Sequence, residues 1–377
     1  MRHRLLPFVL SAVLVHVSQA QGFHQHYGGD RSQVGRALVA DPTGITTVVQ
    51  DASQPDGAIR LRLLRTDLQG ASPVWTDIPV NGSWFAQDAL ASGDGALLIC
   101  GSFIRSGRND QDAFILRVST GGTITWSWST DTPDQEEELL GLTRLTNGDI
   151  AAAGNHRSGG DSDGFLVRIT ATGAALWSHH YGTANDERVK ALAEQGTDLV
   201  AVGRIMNFTG ETDAYILRVD ADGNELEWQS WGSIHNEDLH DVVRSGNEVV
   251  MVGYTEGEAA TPWRAVYLMA FNAAGDTLRT RTWSDLQYTT EAHCLTLAAN
   301  GDLIIGGERG KDRRTDALAL RTTGGGTLLW QRNYDLQRDD RIDGLEAMGD
   351  GGFVGTGRCF GPQSGEVLLL RRNSNGE

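Results

Sequence analysis

Residues 177–222 read WSHHYGTANDERVKALAEQGTDLVAVGRIMNFTGETDAYILRVDAD, and the layout of this stretch decides the fold. Trp177 opens it with Tyr181 four residues on. A run through ERVKALAEQG follows, then a short apolar run closed by Gly203, then Asp213-AYILRV and a glycine turn that leads to Trp228. Each run is short, rich in Val, Ile, Leu and aromatics, and bounded by Gly, Asn or Asp. Such runs are read as antiparallel strands joined by tight turns, because none reaches the length of an ordinary helix.

The same stretch recurs along the chain. Trp75, Trp126, Trp177 and Trp228 are 51 residues apart, Trp330 lies 102 further on, Arg279 occupies the missing position and Phe23 precedes Trp75 by 52. Seven units therefore start near 23, 75, 126, 177, 228, 279 and 330, and a period of this size means a propeller or a solenoid. Each unit holds four strand-like runs. Counting the run after a tryptophan run as a blade's first and the next tryptophan run as its fourth, the second ends in glycine at Gly101, Gly154, Gly203, Gly253, Gly307 and Gly357, with Gln50 the exception, and the third starts at Asp112, Asp163, Asp213 or Asp316 with an arginine five residues later.

A lone four-stranded sheet leaves two apolar faces in water, whereas seven packed radially cover both faces of every sheet. The expectation is all-β: a single seven-bladed β-propeller over 21–377, built of four-stranded antiparallel blades. The sequence stops after the third run of its last unit, and Phe23 to Gly28 is a fourth run without its own unit. The N-terminal strand is therefore expected to complete the last blade, protecting an open edge.

Composition narrows the function classes. A formal charge of −17 disfavours nucleic acid or an anionic membrane as partner. Residues 1–20 read as a signal peptide: a basic start, an apolar run over 5–17 too short to span a bilayer, and Ser18-Gln19-Ala20 as cleavage site. The expected location is outside the cytoplasm: periplasmic, associated with the outer membrane or secreted, without membrane insertion. Cys100, Cys294 and Cys359 leave at least one thiol unpaired, with a Cys294–Cys359 bridge or three buried thiols as the alternatives.

The units resemble the W-x3-fGG, dGGyivaG and DyWlvKLD-x-xG repeats of a secreted bacterial β-propeller family common in Bacteroidota. Trp177-x3-Tyr181-Gly182, the V-x-V-G run ending at Gly203 and Asp213-AYILRVDADG carry the likeness. The resemblance covers nearly all of 22–377. It implies a secreted or surface propeller with no general enzymatic activity, often fused to a sorting domain that this sequence does not show. The D-x-x-G-x-x-x-W turn is also similar to the tryptophan-docking repeat of quinoprotein dehydrogenases, which have eight blades rather than seven.

Features present in every unit are what packing produces, so candidate functional residues are sought where the repeat breaks. Aligning the first strands puts Gly35, Gln87, Leu140, Lys190, His240, His293 and Asp343 in one column. Upstream lie Glu187, Glu237, Asp238, Glu291, Asp339 and Asp340. Together, Glu187, Lys190, Glu237, Asp238, His240, Glu291, His293, Asp339, Asp340 and Asp343 form the expected ligand or partner face of blades four to seven. Solvated polar residues at loop-to-strand junctions are the plainer reading.

A two-histidine metal site has no fixed-spacing motif behind it, and Asp220-Ala-Asp222-Gly223 lacks the distal glutamate of a calcium loop. No H-E-x-x-H, P-loop or dinucleotide fingerprint occurs. The sequence thus points to a non-catalytic extracytoplasmic module that binds a protein, or a glycan, with no cofactor, no resident metal and no catalytic residue assigned. A cell-envelope protein is the expected partner. An envelope assembly scaffold and a propeller enzyme, quinoprotein-like or carbohydrate-active, are the alternatives.

Overall fold

A computed structural model describes residues 22–28, 32–256, 263–311, 314–336, 338–360 and 365–377. The segment 1–20, expected to be a signal peptide, lies outside them. The described residues form seven four-stranded antiparallel sheets, each ordered from the first strand of its repeat outward. The last sheet is completed by the N-terminal strand, Phe23–Tyr27, pairing with Gly365–Arg372. The protein is a seven-bladed β-propeller closed by its own N-terminus, as the repeat pattern predicts.

The innermost strands, which wall the central channel, are Gln33–Asp41, Ser83–Ala91, Glu136–Arg144, Glu187–Gln195, Glu237–Ser245, Thr289–Leu297 and Asp339–Ala347. Their neighbours carry near-continuous apolar runs such as Leu97–Ile104, because both faces of a middle strand are covered by adjacent blades. Core clusters accordingly straddle blade boundaries: Leu166 and Tyr181 of blade three pack with Val189, Leu199 and Tyr215 of blade four.

Where tryptophan and tyrosine recur together, they latch one blade to the next. Trp177 Nε1 donates to the Ala221 carbonyl at 3.0 Å and Tyr181 Oη to the Gly223 carbonyl at 2.6 Å, both in the outer turn of blade four. Trp330 and Tyr334 of blade six hold Ser374 and Gly376 of blade seven in the same way, at 2.9 Å each. Gly223 has a φ of 82° and a side chain there would meet the Trp177 and His179 rings, so this turn requires glycine. At the closure Tyr27 donates to the Gly70 carbonyl of blade one, so the N-terminal strand repeats the latch used elsewhere.

The recurring arginines brace the turn between first and second strands. Arg168 pairs with Asp149 at 2.8 Å, Arg218 with Asp198 at 2.6 Å and Arg321 with Asp302 at 2.9 Å. These features hold the ring together and leave chemistry to other positions. The three cysteines are buried and free, and Cys294 and Cys359 share a core cluster without a bond.

Every innermost strand carries a β-bulge at the same place, and this positions the site. The register slips between Gly35 and Ala37, Ala86 and Asp88, Leu139 and Gly141, Val189 and Ala191, Leu239 and Asp241, Ala292 and Cys294, and Ile342 and Gly344. A bulge leaves one residue unpaired and re-aims its side chain. It also explains the glycine that closes each second run. A Cβ on Gly253 would run into the Asp238 carbonyl, and one on Gly203 into that of Arg188, because the bulged strand presses on its neighbour there. In blade one Val49 stands at this position and the glycine lies across from it, at Gly35.

Candidate functional site

Bulge residues from all seven blades line one cavity of about 540 Å³ on the channel: Arg36, Gln87, Leu140, Lys190, His240, His293 and Asp343. Six match the sequence alignment. In blade one the alignment places Gly35 in the column, whereas the bulge falls one residue later, at Arg36, because blade one carries its glycine on the inner strand. Two residues earlier in each inner strand comes a second ring: Val34, Phe85, Glu138, Arg188, Asp238, Glu291 and Arg341. Across from it, one residue past each closing glycine, stand Arg204, Tyr254, Glu308 and Arg358 in blades four to seven.

These positions meet on one arc of the wall. Lys190 Nζ binds Asp238 Oδ2 at 2.7 Å, Arg204 approaches the same oxygen at 3.4 Å, and His240 Nε2 lies 3.6 Å from it. The His240 and His293 rings stack nearly parallel, at 7°, with their Nδ1 atoms 3.3 Å apart. Glu291 Oε1 lies 3.6 Å from His240 Nδ1 and 3.8 Å from His293 Nδ1, while Arg264 holds Oε2 at 2.6 Å. His293 Nε2 faces Glu308 Oε2 at 3.5 Å, and Arg341 pairs with Asp343 at 2.6 Å. Arg264 also lies over the Tyr254 ring, 3.9 Å from its centroid.

Burial and charge shift these groups in opposing ways. Burial would raise the Asp238 carboxyl, but the neighbouring His240 and the Lys190 charge outweigh it and hold the pKa at about 2. Glu291 is likewise lowered, against the effect of burial, by His293, His240 and Arg264. His240 is lowered by burial first and by Lys190 next, and burial lowers Lys190. Further down the channel Asp241 is pushed up to about 7 and Asp88 to about 6, chiefly by burial. Each still accepts a backbone N–H from the next blade, Leu295 at 2.7 Å and Leu142 at 3.0 Å.

The other expected face residues divide. Glu187 and Glu237 are buried and turned away from the ring: Glu187 accepts from Thr183, and Glu237 from Ser233 and Thr255. Their role here is to clamp the incoming loop, which only the fold could separate from a role at the channel. Asp339 begins the inner strand of blade seven, paired with Phe360. Asp340 is fully buried beside His26 and Cys359, away from the two histidines. A matching cluster, Glu137–His156–His180, occupies the same register positions in blade three.

Sequence reasoning misses Arg36, Tyr254, Arg264, Glu308 and Arg341. For Tyr254 and Glu308 a signal exists, since each follows a closing glycine of the repeat. Gly160–Gly164 spells G-x-S-x-G, but Ser162 sits within the strand Asp161–Ile169 and not on a strand-to-helix elbow, so the letters carry no nucleophile.

No family model and no curated protein matches the chain. Among solved structures the chain is similar to a polysaccharide lyase of family PL25, an ulvan lyase, at 10% identity and a TM-score of 0.55, over 93% of this chain and 97% of that one. It is also similar to a puromycin hydrolase at 13% identity and a TM-score of 0.56, over 92% of this chain and 54% of that one. Likeness at this identity establishes the propeller class alone, since propellers host unrelated functions.

Proposed function

We propose that the protein is an exported, non-catalytic propeller of the secreted bacterial repeat type, which binds a protein of the cell envelope at the charged arc of its channel. The observation behind this reading is the asymmetry of the two rings. The same bulge serves every blade, yet Lys190, Asp238, His240, Glu291, His293, Arg341 and Asp343 gather most of the charge on blades four to seven, with Arg36 of blade one and Glu138 of blade three the charged positions elsewhere. Each is held by a counter-charge, so the arc is preorganised for a polar segment entering from outside.

The test is site-specific photo-cross-linking in the native cells. A cross-linker at Gln87, inside the channel, is expected to capture one envelope protein that the same group at Leu226, on the exposed outer rim, does not. Equal capture from both positions, or none from Gln87, removes the proposal. An enzyme is the second reading, favoured by the convergence of perturbed ionisable groups on a cavity of ligand size. Turnover of an oligosaccharide that stops in His240→Ala would establish it instead.

A further inference from the structure

We propose that His240 Nδ1, His293 Nδ1 and Glu291 Oε1 form a binding site for one divalent first-row metal ion, zinc by the character of its donors. The inference stands on the geometry of these side chains and does not depend on what partner the propeller binds.

The distances come first. Two ligands of a tetrahedral ion with bonds of about 2.05 Å are separated by roughly 3.3 Å. The two Nδ1 atoms stand at 3.3 Å, and Oε1 of Glu291 needs to close only a few tenths of an ångström from 3.6 and 3.8 Å. Two histidines and one carboxylate are a donor set that zinc uses where a fourth position stays open. Here both histidines line the channel cavity, so that position faces a space able to admit water or a ligand group.

The outer contacts point the same way. A metal-bound histidine usually donates its other N–H to a carboxylate, fixing the tautomer. His240 Nε2 faces Asp238 at 3.6 Å and His293 Nε2 faces Glu308 at 3.5 Å. His293 Nε2 and Glu308 Oε2 are both buried with no hydrogen bond closed between them, a pair that a small ring rotation would join. With both Nε2 atoms protonated toward these carboxylates, both Nδ1 atoms present lone pairs to each other at 3.3 Å. Two lone pairs at that distance, beside a carboxylate oxygen, repel unless a cation stands among them. Arg264 occupies only Oε2 of Glu291, and Lys190 is turned to Asp238, so neither fills the gap.

A single proton shared between the Nδ1 atoms is the competing occupant, and the experiment separates the two. The folded chain, stripped with chelator, is titrated with Zn2+ calorimetrically and with Co2+ by absorption. The expected result is one site that His240→Ala, His293→Ala and Glu291→Gln each weaken by more than about tenfold, and Glu308→Gln by roughly tenfold. His179→Ala, on an exposed outer strand, should change nothing. The cobalt spectrum should show ligand-field bands without a thiolate charge-transfer band, since a thiolate band would place the ion at Cys359.

Should a variant fail to fold, paramagnetic loss of the His240 and His293 ring signals in the unmodified protein gives the same answer. Binding that survives the histidine substitutions, a thiolate band alone, or ring signals that show one shared proton and no response to Co2+ overturns the proposal.

Discussion

Blades three and five have the same inner strand, the same bulge and the same closing glycine, yet one wall is quiet and the other is charged. In blade three the bulge residue is Leu140, and Glu138 in the ring above accepts from Asn155 at 3.1 Å. In blade five the same two positions are His240 and Asp238, and the aspartate gathers Lys190, Arg204 and His240 around one oxygen. The backbone therefore supplies seven equivalent mounting points, and side-chain choice alone determines which of them take part in chemistry. Repetition builds the ring and departure from repetition marks the site.

The largest test of this contrast removes the acid from each blade. Asp238→Ala leaves Lys190 and Arg204 without their counter-charge in a mostly buried position and is expected to cost about 3 kcal/mol. Glu138→Ala removes one partly exposed hydrogen bond and should cost about 1 kcal/mol. Urea denaturation of the two variants gives both values, and equal losses would dissolve the distinction between the walls.

A smaller effect concerns the acids below the ring. The Asp241 carboxyl titrates at about 7 in the fold against 3.8 unfolded, so the folded state holds the extra proton between those values. The contribution of this group to stability should consequently be greater near pH 4 than near pH 8, being lost as pH rises toward and through 7. Asp241→Asn is expected to flatten that slope, and a melting curve that keeps the wild-type pH dependence would contradict it. The smallest effect belongs to the latch, which is common to both walls. Tyr181→Phe deletes one hydrogen bond to the Gly223 carbonyl and should cost about 1 kcal/mol, as should Tyr334→Phe at Gly376. A large difference between them would show that the blades are not held alike.

These contrasts also show what the sequence could and could not reveal. The fold was legible because tryptophan recurs in five units, the closing glycine in six and tyrosine in three, at positions that packing enforces. Of the site, Lys190, His240, His293 and Asp343 were legible as breaks in that recurrence. Arg36 was missed because a bulge adds a residue without leaving a mark in local propensity, and blade one moves its glycine to the other strand. The separation of Asp238 and Glu291 from Glu187 and Glu237 was also hidden. In a strand, neighbours one residue apart point to opposite sides, and only the three-dimensional register tells which side is the channel.

The closure of the ring has a consequence for how the molecule reaches its native state. Phe23 pairs with Arg371, and Arg372 donates to the Phe23 carbonyl at 2.8 Å across 349 residues of sequence. Among the described residues no other strand waits so long for its neighbour, since the remaining pairs join consecutive segments of chain. The most N-terminal of the described strands is thus the last that can dock, and until the final repeat has formed the ring stays open with two unpaired edges. Loop closure over such a span is slow compared with hairpin formation. The rate of this last step, rather than the formation of any blade, should govern how long the folding propeller presents an edge to other chains.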